Sequence, residues 1–170
     1  MGFLTPNDIK SFQSLYVLQL RYLLSTENQI VKGLESMIKH SSDPQLQQAF
    51  QSHLQETELQ VDRLEELIAE VTNGDVDDKK DAIVTALIGS AENIVSESDE
   101  GPLRDAGLLA TAQKIEHYEI ASYGSARDWA KTLGLTKHAE LLQRTLDEEK
   151  HADEVLGSIS ERANTTAAAA

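Results

Sequence analysis

Glu27, Glu56, Glu116 and Glu149 each fall on, or at the edge of, a stripe of apolar residues spaced three and four apart, where a charge is out of place. Glu27 stands seven residues after Leu20 and seven before Leu34. Glu116 stands seven after Leu109, four after Ala112 and four before Ile120, with Glu119 beside it one turn on. Leu142, Leu146, Glu149, Asp153 and Leu156 keep a spacing of four and three, so both of these carboxylates face inward. His53, Glu56 and Gln60 share a face with Leu64 and Leu67, Glu56 towards its edge. Burying unpaired carboxylates costs several kcal/mol each. No Lys or Arg is expected at their level; Arg127 faces inward about 16 Å further along its helix. Cations must therefore come from outside the chain. A pair of divalent metals, held by Glu27, Glu56, Gln60, Glu116, Glu119, Glu149 and Asp153, meets that need. An oxygen-dominated donor set suits Fe²⁺ or Mn²⁺ better than metals that prefer thiolate or imidazole.

Four long helices must position these groups. Thr5-Pro6-Asn7-Asp8 reads as a cap and acidic first turn, predicting a first helix from about Pro6 to Lys39. Ser41-Ser42-Asp43-Pro44 is a stop and restart, and a second helix follows to about Val71, closed by Asn73-Gly74-Asp75. Residues 79–95 form a shorter helix with a broad apolar surface, suited to crossing over other helices. A third main helix runs from about Pro102 to Lys131 with Gly134 past its end, and Thr136 caps a fourth that reaches about Arg162. The expected fold is all-α, a four-helix bundle over residues 1–162 with a short fifth helix in its crossover. Residues 163–170 are expected to form a flexible tail.

Depth supports convergence. Glu27 and Glu56 lie about 14 and 15 residues from the first turn, and Glu116 and Glu149 about 17 and 16 from the second, roughly 20–25 Å along the helices. The halves also repeat: Leu20, Leu23, Glu27, Val31 and Leu34 match Leu109, Ala112, Glu116, Ile120 and Tyr123.

Composition narrows the partners. The 170 residues carry a formal net charge of −14 and no Cys. One domain is expected, nucleic acid and anionic membrane are poor partners, and disulfide, zinc-ribbon and Fe–S chemistry is excluded. No secretory signal or membrane-spanning run is visible, and a cytoplasmic protein is expected.

SLYVLQLRYLLSTENQI, FQSHLQETELQVDRLEEL, EHYEIASYG and LDEEKHADEVL together resemble the YciE/YciF family (DUF892) of ferritin-like proteins. The resemblance covers nearly the whole chain. It implies a ferritin-like fold, a metal centre in the bundle, dimers and an association with stress responses. The wider ferritin-like pattern has two Glu and two Glu-x-x-His. Here Leu59 and Ala152 replace the histidines, and Gln60 and Asp153, four residues after their Glu, take over. Glu148-x-x-His151 points away from the inward stripe, and His117 lies about 100° from Glu116. His53, one turn before Glu56, is the best histidine candidate; Tyr16 and Tyr123 also fall on inward stripes.

Three functions compete: a redox-active di-metal protein reacting with O₂ or peroxide, as a ferroxidase or catalase-like enzyme would; a non-catalytic metal-binding or structural bundle; and iron storage. Leu15, Leu18 and Tyr22 form a second apolar stripe on the first helix, which with the crossover helix predicts a homodimer.

Overall fold

The computed structural model describes residues 9–170, which form five helices and no strand. They are α1 (Phe12–His40), α2 (Pro44–Thr72), α3 (Ala82–Glu97), α4 (Pro102–Thr132) and α5 (Thr136–Ala168). No described helix is long and apolar enough to cross a membrane. Two long hairpins, α1–α2 and α4–α5, form the bundle, and α3 lies across α1 and α4 on the way between them.

Local chemistry sets the turns. Asp43 accepts from the backbone N–H groups of Gln45 (2.8 Å) and Leu46 (3.3 Å), and Pro44 occupies the first turn, where its missing N–H has no cost. Asn73 ends α2 in the left-handed conformation (φ 57°), and Gly134 (φ 73°) turns the chain between α4 and α5 as its position suggested. Asp105 ties the first turn to α4, accepting from Ser42 N (2.8 Å), Ser42 Oγ (2.5 Å) and Asp43 N (2.9 Å).

The crossover is fastened by Asp81. This buried carboxylate caps α3 through Ile83 N (2.8 Å) and Val84 N (3.3 Å), and accepts from Thr26 of α1 (3.1 Å) and from the Tyr118 hydroxyl of α4. Close approach completes the fit. A Cβ on Gly107 would come within 2.7 Å of the Ile94 side chain, and one on Gly33 within 3.4 Å of Ile88. Small residues on α1 and α4 thus let the branched side chains of α3 lie flat.

Four boundaries differ from expectation. Helix α1 starts at Phe12, not Pro6, because Ser11 and Ser14 form a reciprocal capping box. The Thr5-Pro6-Asn7-Asp8 signal lies outside the described residues. Helix α3 begins three residues later than position 79, where Asp81 can cap it. Thr136 is the first residue of α5 and not its cap; Leu135 holds the cap position with no side-chain bond. Finally, residues 163–168 are helical where a flexible tail was expected. Ala163 and Ala167 are buried four residues apart, continuing the stripe of Leu156 and Ile159, and alanine has the strongest intrinsic helix preference.

The interior splits into two apolar clusters. One joins Ile30, Leu34, Phe50, Leu109 and Leu156; the other joins Tyr16, Leu20, Leu64, Tyr123 and Leu142. The buried positions that separate them on every main helix are polar: Glu27, His53, Thr57 and Gln60, Glu116 and Glu119, and Glu149.

Candidate metal centre

Glu27, Glu116, Glu119 and Glu149 are all buried between the two apolar clusters, with Gln60 and His53 among them. One ligand atom each from His53, Glu116, Glu119 and Glu149 lies within 4.8 Å of the other three. His53 Nε2 is 3.3 Å from Glu116 Oε1 and 3.7 Å from Glu149 Oε2. Three helices therefore meet at one point, α2 giving the histidine, α4 two carboxylates and α5 one. Glu27 of α1 joins from the fourth side, close enough to Glu119 for their charges to interact strongly.

The surrounding groups hold these side chains in place. The Tyr123 hydroxyl donates to Glu27 Oε1, and Gln60 Nε2 donates to Glu149 Oε1 (2.6 Å) and Glu148 Oε2 (3.2 Å). Arg63, one turn past Gln60, pairs with Glu148 (2.9 Å). A cation does lie near the expected level, contrary to the sequence reading, but its charge is matched outside the cluster.

The residues fit a divalent metal. Both oxygens of Glu119, Oε2 of Glu27, Glu116 and Glu149, and both ring nitrogens of His53 are buried without a hydrogen-bond partner. Asp81 and Asp105, buried acids elsewhere in the protein, have both carboxylate oxygens hydrogen-bonded. Donors on a coordination sphere of about 2.1 Å radius stand roughly 3–4.2 Å apart. Atoms already within 4.8 Å need only small side-chain rotations to reach it.

Protons are the alternative way to relieve the charge, and the acids show it. Burial pushes Glu27 up to about 7, even with the Tyr123 hydroxyl opposing, and Glu116 up to about 8. Burial followed by the neighbouring charges raises Glu119 and Glu149 well above the usual carboxylate range. On His53, burial works against the charge, yet Glu56, Glu149 and Glu27 outweigh it and raise its affinity for a proton.

Not every sequence candidate reaches the cluster. Glu27, Gln60, Glu116, Glu119 and Glu149 do. Glu56 keeps 40% of its side chain exposed and approaches only His53 Nδ1, at 3.9 Å. Asp153, one turn along from Glu149, is 23% exposed and faces His117 through Oδ2 at 3.6 Å, while its Oδ1 is buried without a hydrogen-bond partner. His151 is exposed at the mouth of a groove between α2 and α5. The histidine left out of the carboxylate-based ligand set is His53, in the order His-x-x-Glu instead of Glu-x-x-His. Its place on the stripe of Phe50, Thr57, Gln60 and Leu64 was the available signal.

Antiparallel helical hairpins joined by a long crossover, with glutamates and a histidine meeting at mid-bundle, define a ferritin-like carboxylate bundle. Residues 11–169 match the family model described as a domain of unknown function, DUF892, and the chain belongs to that family. It is 36% identical to protein YciF of Escherichia coli K12 over 146 residues, covering 86% of this chain and 88% of that one. The crystal structure of the E. coli stress protein YciF superposes with a TM-score of 0.87 at 34% identity, over 92% of this chain and 99% of its own. YcfI of Rhodopseudomonas palustris, provisionally described as a structural protein, gives 0.86 at 32% identity over 91% and 98%.

The raised acids fix the pH behaviour of the metal-free protein. Folded, Glu27 and Glu116 hold protons that the unfolded chain releases near pH 4.5, so their contribution to stability is lost as pH rises towards 8. His53, raised as well, adds in the same direction. Calorimetry of chelator-treated protein should show a melting temperature lower by about 5 °C or more at pH 8 than at pH 5.5. Mn²⁺ should restore most of the difference. An equal or higher melting temperature at pH 8 would show that the cluster carries no uncompensated charge.

Proposed function

We propose that this protein binds two divalent metal ions, iron or manganese, in its bundle core and reacts with O₂ or peroxide there, in a stress-related role. The observation that carries the proposal is the set of orphaned, fully buried donor atoms on His53, Glu116, Glu119 and Glu149. That set suffices for a first ion. Glu27 Oε2 and the second oxygen of Glu119 would contribute to a neighbouring one. A pair of redox-active ions would supply electrons to a small oxidant. The chain's own groups prepare the place: Tyr123 orients Glu27, Gln60 orients Glu149, and two apolar clusters keep bulk water from the carboxylates. The YciF relative's description as a stress protein supports the stress-related role.

A second reading, a bundle in which the ions mainly neutralise buried acids, draws on the description of YcfI as structural. Elemental analysis of untagged protein, then stopped-flow mixing of the reduced form with O₂ and with H₂O₂, separates the two. Turnover or a fast spectral change is the expected result; bound metal with no reaction favours the structural reading. Glu149→Ala should remove most of the metal, whereas His151→Ala, altering an exposed side chain, should leave stoichiometry nearly intact. Equal loss from both would contradict the buried ligand set.

We further propose a homodimer formed through the α1–α3 side, where Leu15, Leu18 and Tyr22 are only half-buried and Ile83 is exposed. Light scattering coupled to size exclusion should give a mass near twice 18.7 kDa. A strict monomer would show that α3 alone covers this face.

A further inference from the structure

Helices α2 and α5 are bridged on one side of the candidate centre, by Gln60 and Arg63 reaching Glu148 and Glu149. On the other side, towards Pro44 and Ile159, a groove of about 660 Å³ lies between them. Its walls are apolar, with Ala49, Phe50, Ala152, Val155, Leu156 and Ile159. Polar side chains line it too: Gln45, Gln48, Ser52, His151 and Ser158, and, beside the cluster, His53, Glu56 and Glu116, of which the His53 nitrogens and Glu116 Oε2 are buried with no partner. An apolar cleft of this size with a few converging polar groups has the form of a small-molecule site.

We propose that this groove binds a neutral, mainly apolar organic molecule whose single polar group points towards His53 and Glu116. Its role as the substrate site of the centre rests on the metal reading above; its binding chemistry does not. Volume sets the size of the ligand. The space equals that of about 20 water molecules, far more than O₂ or peroxide fills. Charge sets its sign. No Lys or Arg lines the groove, and an anion would meet Glu56 and Glu116 in a protein of net charge −14. A cation would leave water for apolar walls and compete with metal for the same carboxylates.

Two probes share one aromatic body and differ by a charge. N-Phenyl-1-naphthylamine is neutral; 8-anilino-1-naphthalenesulfonate adds a sulfonate. Fluorescence titration of the full chain should show one site for the neutral probe and at least about tenfold weaker binding of the anion. Ala152→Phe, which fills the groove from its wall, and Ser52→Trp, which crowds it from an exposed position, should each weaken the neutral probe by at least about tenfold. Ser52→Trp keeps the test decisive if Ala152→Phe does not fold. Leu59→Ser, which removes an exposed apolar side chain elsewhere on α2, should change nothing. Equal affinity for the two probes, full binding by Ser52→Trp, or loss only in Leu59→Ser would overturn the proposal. The same titration with and without Mn²⁺ separates the two readings. Groove binding by protein that takes up no Mn²⁺ supports the groove and removes the metal centre; Mn²⁺ uptake with no probe binding overturns the groove and leaves the centre.

Discussion

Four glutamates share a dry level of a helical bundle with one histidine, and everything around them is arranged by that constraint. Like charges in a low-dielectric interior repel strongly, and each loses the hydration it would have in water. Within the chain, relief comes from protonation, which burial already favours, from the charges of His53 and Arg63, and from the hydrogen bonds that Tyr123 and Gln60 donate. A bundle that merely needed a core would place leucine at these positions, as it does two turns away at Leu20, Leu109 and Leu142. Keeping acids there costs stability in the metal-free state, and a bound cation would reverse the sign.

The rest of the fold positions this level and insulates it. Each hairpin brings two helices to the same depth, because its turn is fixed by a cap at Asp43 or by the glycine bend at Gly134. The crossover helix has no ligand of its own, yet Asp81 at its start ties α1 to α4 through Thr26 and Tyr118. That keeps Glu27 opposite Glu119. At the open seam between α2 and α5 the cluster meets a cavity lined by its own residues, His53 and Glu116.

Helical periodicity made the fold and the inward carboxylates legible, since a stripe at 3.6 residues per turn fixes direction with little ambiguity. Glu27, Glu116, Glu119 and Glu149 lie where that phase sends them. Phase alone says less about radial distance, and Asp153 and Glu56 show it: both lean towards the cluster, but they stay on its outer, wetter side. His53 is harder to read as a ligand, because the ferritin-like pattern places histidine after the glutamate, whereas here it comes before. Helix ends were the least legible. Pro6 and Ser11 both offer starting signals, and only the Ser11–Ser14 box falls within the described residues to show where α1 begins. The alanine-rich end of α5 looked like a tail by composition, but Ala163 and Ala167 continue the buried stripe.

Anomalous diffraction from crystals of Mn²⁺-loaded protein tests the central claim most directly. A metal centre built on the orphaned donors requires anomalous peaks enclosed by Glu27, His53, Glu116, Glu119 and Glu149, with Glu119 bound through oxygens that otherwise have no partner. Peaks confined to exposed acids such as Asp147, Glu154 and Glu161, with none in the buried cluster, would contradict it.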